Sequence, residues 1–296
     1  MSYLTPRHAH PPPGVQGPPA ARTARLGLGA PGYAHPLVAP VEWAELTRPS
    51  TPLHWAVLNV ANGPGDRPDP HCLDAAGRLT NARLRVLGHL DLAYGGRPMA
   101  EIVADARHFL GWYRVGGFYL GRCPAGRAEL PWVRRTTAAL EALLDGAPDS
   151  ARDGGYIVLG HGIHPHPGYL DAADQSVTFS GPWTDYRWSQ APAWTAEYPP
   201  ERFVHLVHGV PRGHLDEALR VARWQGAGTV FFTDSLPART DIPAGKGLPD
   251  PTGLPDSLRL PDSMGLPGRT GENTPFETLP GFWDEFVSRL GLCVLE

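Results

Sequence analysis

Eight short apolar runs, each bounded by turn-forming residues and most followed by a helical pattern, constrain this chain more than any other feature of its sequence. They fall at residues 26–33, 54–60, 85–91, 116–120, 155–160, 176–180, 203–208 and 228–234. Runs of this length, rich in β-branched and aromatic residues and flanked by Gly, Pro, Asn or Asp, read as strands. Asp69 ahead of Pro70 predicts a helix through Asn81, because an Asp carboxylate accepts the first free amides and Pro at the first helical position has no N–H to leave unpaired. Further helices are predicted over 42–46, 99–112, 131–144, 214–224 and 282–290, with a shorter one over 183–188. Eight strand signals alternating with helices over about 265 residues match a (β/α)8 barrel in number, spacing and length. A doubly wound open sheet is the competing α/β arrangement.

At 296 residues and 42% hydrophobic content, the chain can bury the core such a barrel needs. The predicted organisation is a single barrel domain over 25–296, an N-terminal arm over 1–24 rich in Pro, His and Gly, and an insertion over 235–273. In that insertion Gly247-Leu-Pro-Asp250, Gly253-Leu-Pro-Asp256, Arg259-Leu-Pro-Asp262 and Gly265-Leu-Pro-Gly268 recur every six residues. Repeated Pro and Gly deny both helix and sheet, so the expectation there is a low-complexity, disordered segment.

Charge and motif content exclude several classes. The formal net charge is -4 and the cations, nearly all Arg, are scattered, so no nucleic-acid partner and no basic membrane-binding face is expected. No apolar run approaches the roughly 20 residues of a membrane span. Cys72, Cys123 and Cys293 form no CxxC pair, which argues against a disulfide framework and a zinc ribbon. Gly27, Gly29 and Gly32 lack the helix that a dinucleotide fingerprint requires, and no cofactor is expected. Without a continuous apolar leader the chain is expected in the cytoplasm, or outside the cell if the start codon is misassigned.

In a parallel barrel the chemistry sits where strands end, so the residues following each run matter most. Tyr33, Tyr94 and Trp183 offer aromatic faces for a ligand, and Asn59, Asn62 and Asp91 can satisfy its polar groups. His161, His164 and His166, with His35, His89 and His208 at other strand ends, raise the question of a metal. Spacing within a Pro-containing loop does not constrain geometry, and no metal site is assigned. Asp91 and Asp234, at the ends of the third and eighth runs, are the carboxylates placed on that face.

Several segments in order along the chain resemble the spherulation-specific family 4 (spherulin 4) proteins, related to glycoside hydrolase family 135. They are Gly32-Tyr33, Ala56-Val-Leu-Asn59 with Asn62-Gly-Pro-Gly65, Val86-Leu-Gly88 with Tyr94-Gly95, and Gly117-Phe-Tyr-Leu120. Ser176-Val-Thr-Phe179 with Gly181-Pro-Trp183, Gly228-Thr-Val-Phe-Phe-Thr-Asp234 and Leu279-Pro-Gly-Phe-Trp283 continue the set. The resemblance implies a (β/α)8 barrel and endo-hydrolysis of an amino-sugar polysaccharide, galactosaminogalactan. It also implies an Asp-Glu pair ending the fourth strand and a Glu ahead of Gly-Pro-Trp. Those positions hold Gly121, Arg122 and Ser180 here. Glycoside hydrolysis normally takes two carboxyl groups flanking the scissile bond, and none of these three residues supplies one.

Two readings follow. One is a catalytically impaired barrel that binds a carbohydrate or carbohydrate-like ligand, with Arg122 favouring anionic groups. The other is a divergent endo-glycosidase working through Asp91 and Asp234.

Overall fold

A computed structural model of the chain describes residues 26–32, 34–49, 51–147, 155–237 and 275–291. The expected arm over 1–24, most of the 235–273 insertion, and Tyr33 lie outside the described residues. No helix among the described residues is long and apolar enough to cross a membrane.

The strands are β1 (Gly27–Ala30), β2 (Leu53–Leu58), β3 (Val86–Asp91), β4 (Gly117–Gly121), β5 (Tyr156–Gly160), β6 (Gln175–Pro182), β7 (Phe203–His208) and β8 (Thr229–Phe232). Each pairs in parallel with its sequence neighbours, and β1 also pairs with β8, so the sheet closes into a barrel and the open-sheet alternative falls away. The helices are α1 (Pro40–Leu46), α2 (Pro70–Asn81), α3 (Met99–His108), α4 (Leu130–Asp145), α5 (Trp183–Tyr186), α6 (Leu215–Trp224) and α7 (Trp283–Gly291). Asp69 caps α2 as its sequence predicts, accepting from the amides of His71 and Cys72 at 2.9 Å each.

Two stretches depart from the simple alternation. The helix expected over 99–112 ends at His108 and continues as a wider π-helical turn, Phe109–Tyr113, which Arg114 stops in a left-handed conformation. That turn serves two contacts. Phe109 packs directly on Gly88 of β3, where an added Cβ would lie 2.6 Å from the ring. The Tyr113 hydroxyl accepts from the Asp69 amide at 3.0 Å and donates to the Pro64 carbonyl at 3.1 Å. Between β5 and β6 the crossover is a short 3-10 segment, Pro167–Ala172, rather than an α-helix.

Side chains alternate between the barrel interior and the surrounding helices. Inside, a polar network ties β2, β6 and β8 together. Trp55 Nε1 donates to Gln175 Oε1 at 2.7 Å, and Gln175 Nε2 donates to Thr229 Oγ1 at 2.9 Å and to the Glu201 carbonyl at 2.7 Å. Each of these polar atoms is paired, which is what makes burying them tolerable. Above this layer, toward the strand C-termini, the interior opens.

Candidate functional site

The opening is a cavity of about 670 Å³ at the C-terminal ends of the strands. β3 and β4 supply its most distinctive wall. Their register sets Asp91 opposite Gly121, so Arg122, one residue further, stands beside the Asp91 carboxylate. Arg122 Nε donates to Asp91 Oδ1 at 2.8 Å, and its Nη2 donates to Oδ2. The planar fork of Arg matches a carboxylate in this two-bond geometry. The Ala93 amide adds a third donor to Oδ1 at 2.8 Å. Burial acts to raise the Asp91 pKa, but the Arg122 and Ala93 hydrogen bonds and the Arg122 charge outweigh it and hold the carboxyl below its ordinary value.

The backbone is bent to make this pair. Ala93, Tyr94 and Arg122 all have positive φ, at 45°, 55° and 47°. Three non-glycine residues in this region within one wall represent stored strain of the kind that gathers at functional sites. The Tyr94 amide donates to the Arg122 carbonyl at 2.7 Å, locking the two loops to each other.

Two glycines shape the floor. An added Cβ at Gly121 would meet His89 Nε2 at 2.4 Å, and one at Gly160 would meet the Tyr119 hydroxyl at 2.8 Å. The imidazole of His89 therefore occupies the space a side chain at 121 would enter. Burial pushes the His89 pKa down to about 4, with Asp91 opposing the shift and the Arg122 and Arg97 charges adding to it.

The other residues singled out from sequence are distributed as follows. Asn59, Asn62, Tyr94, Arg122 and Ser180 line the cavity. Asn59 also closes its own turn, its Oδ1 accepting from the Gly63 amide at 3.1 Å. Tyr94 is 64% exposed at the rim. Trp183 is only 4% exposed, packs against Tyr186 and His214, and is not part of the cavity wall. Asp234 is also outside the wall, and its Oδ1 accepts from the Gly281 amide at 3.0 Å, holding the β8 end to the segment before α7. Among the described residues, the carboxylate that joins Asp91 in the wall is Glu277. Its only sequence signal is its place two residues ahead of Leu279-Pro-Gly-Phe-Trp283.

The histidines do not converge. His161 Nδ1 bonds the Pro124 carbonyl at 2.9 Å, His164 meets Trp194 edge-on, and His166 accepts from the Gly168 amide at 3.1 Å. A closer grouping is His35, Asp69 and Cys72, whose donor atoms lie within 4.8 Å of one another. These atoms already have work in the fold. The Leu37 amide donates to His35 Nδ1 at 3.2 Å, which leaves the ring proton on Nε2, 3.2 Å from Asp69 Oδ1. That oxygen is the α2 cap, and burial pushes the Cys72 thiol up to about 12. The arrangement is a capped helix start rather than an open ligand set.

A profile of the spherulation-specific family 4 matches residues 29–240. No curated protein sequence matches the chain. Among solved structures the chain is similar to Aspergillus clavatus Sph3 in complex with GalNAc, at 20% identity and a TM-score of 0.67, over 90% of this chain and 98% of that one. It shows a fainter likeness to the Bacillus cereus spore cortex-lytic enzyme SleL, at 8% identity and a TM-score of 0.39, over 62% of this chain and 51% of that one.

Proposed function

The chain belongs to the spherulation-specific family 4, and from that premise we propose that it is a carbohydrate-binding barrel whose cleft has exchanged hydrolytic machinery for recognition. The observation that carries this reading is the Arg122–Asp91 pair. A glycosidase acid must hold a proton for the leaving oxygen, and its partner must present a carboxylate to the anomeric carbon or to water. Held ionised by three donors, Asp91 is unsuited to the acid role, and for the carboxylate role both of its oxygens already accept from Arg122, with the Ala93 amide adding a second bond to Oδ1.

The remaining wall suits binding. Tyr94 offers an exposed ring at the rim, Asn62 and Ser180 offer hydrogen-bonding groups, and the cavity is large enough for a saccharide unit or more. The GalNAc held by Sph3 makes that sugar the first ligand to try. Arg122 tunes the cleft less toward anions than an unmatched guanidinium does, because Asp91 sits against it.

The competing reading, hydrolysis through Asp91 and Asp234, asks two carboxyl groups to face one bond. Asp234 lies outside the cavity wall and Asp91 is engaged, so the binding reading has the better support.

Calorimetric titration with GalNAc and amino-sugar oligosaccharides tests the proposal, with Tyr94→Ala as the cleft control. Saturable binding weakened by Tyr94→Ala, without release of reducing ends from an amino-sugar polymer, is the expected result. Reducing-end release that Asp91→Asn abolishes overturns it.

A further inference from the structure

His161 is the first residue after β5, and the backbone on either side of it is clamped. The Cys123 amide donates to the Gly160 carbonyl at 3.0 Å, the Gly162 amide to Val177 at 3.0 Å, and the Ser180 amide to Gly162 at 2.9 Å. The imidazole itself is held twice. Nδ1 lies 2.9 Å from the Pro124 carbonyl, and the ring meets Tyr169 edge-on with centroids 4.8 Å apart. Tyr169 is in turn anchored, its hydroxyl donating to the Gly126 carbonyl at 2.7 Å.

A carbonyl oxygen can only accept, so Nδ1 carries the ring proton and Nε2 carries a lone pair. The residue is 8% exposed and forms part of the cavity wall, and Nε2 is buried without a hydrogen-bond partner. A buried acceptor left unmatched costs stability, and a group that supplies the missing donor regains it. The Cys123 backbone also lies near the ring and, with Pro124, acts against the effect of burial on its protonation.

We propose that His161 is a specificity-determining residue of the cleft, whose oriented Nε2 accepts a hydrogen bond from a ligand hydroxyl and selects sugars carrying a free hydroxyl at that position over their O-alkylated forms. This rests on the carbohydrate-binding reading of the same cleft and adds to it a chemical requirement on the ligand. Burial pushes the His161 pKa down to about 4, so the acceptor form prevails at neutral pH. Nε2 has no open surface, so the proposal requires neighbouring wall side chains to change rotamer when a sugar enters. An ether oxygen at the matching position brings no proton and adds bulk, which sets acceptor against acceptor.

The test uses the full chain, GalNAc, and a set of its singly O-methylated derivatives, measured by calorimetry on the parent protein and on His161→Phe, which keeps a ring against Tyr169. The expected result is that His161→Phe weakens GalNAc by about fivefold to tenfold, the size of one hydrogen bond, and removes the discrimination against one O-methyl derivative. Equal weakening of GalNAc and all its derivatives, or none, overturns the role of His161 while leaving carbohydrate binding in place. Absence of any saccharide binding by the parent protein overturns the cleft reading and this inference together. Selective 15N labelling of histidine gives a readout that needs no ligand or variant. His161 Nε2 is expected to resonate as an unprotonated nitrogen at neutral pH, and a protonated Nε2 overturns the inference whatever the sugar data.

Discussion

Arg122 and Asp91 form a two-bond ion pair across the ends of adjacent strands, at the edge of the cleft where the family resemblance calls for acids. Arg122 follows the strand in a strained conformation to reach this partner.

Removing the arginine is expected to expose what the pair contributes. Arg122→Ala should destabilise the fold by about 1–2 kcal/mol, less than for a fully buried pair because the Arg122 side chain is 41% exposed. Denaturant unfolding reads this. Because the folded pKa of Asp91 is depressed, the pair's contribution is present above the unfolded carboxylate value and is lost as pH falls through the folded one. Carboxyl NMR of Asp91 should show its pKa rising in the variant, and an unchanged value would sink this account of the pair.

Restoring an acid at 121 should fail as a single change. Gly121→Asp places a side chain where His89 Nε2 already lies 2.4 Å from an added Cβ. A loss of about 1–3 kcal/mol from overpacking is expected, recovered at least in part by pairing it with His89→Ala. Thermal unfolding of the three variants distinguishes this from independent, additive effects.

Acid lability should be set by buried histidines. Burial holds His89 and His161 at about 4 and His205 at about 3. The unfolded chain binds protons at these residues from about pH 6.5 downward, while the fold resists them. Stability is therefore complete above about pH 6.5 and falls as pH drops toward 4, by up to about 1.4 kcal/mol per pH unit for each histidine. Urea midpoints at a series of pH values should show a shallower decline for His205→Phe than for the parent chain.

The interior polar network should be costly to break from one side. Gln175→Leu leaves Trp55 Nε1 and the Glu201 carbonyl without their partner, for an expected loss of about 1–3 kcal/mol. A neutral result by denaturant unfolding would mean the network relaxes around the change.

The alternating runs and capping signals determined the architecture, because strand and helix periodicities and an Asp-Pro helix start are local properties of the chain. They located the barrel, its strand order and the Asp69 cap, while the family resemblance directed attention to Gly121, Arg122 and Ser180. They did not anticipate the turn after α3, whose wider winding answers to Phe109 packing on Gly88 and to Tyr113 reaching Asp69 and Pro64. Asp234 and Trp183 follow strand ends, as sequence reading said, yet strand ends have an outer side as well as an inner one. Only the closed barrel decides which side each residue faces, and it brings Glu277 into the wall with Asp91 while Asp234 holds a loop. The pairing of Arg122 with Asp91 depends on the register of β3 against β4, a relation between residues thirty-one apart that no local pattern carries. Gly121 reads in sequence as an absent acid; in three dimensions it is the space that admits His89.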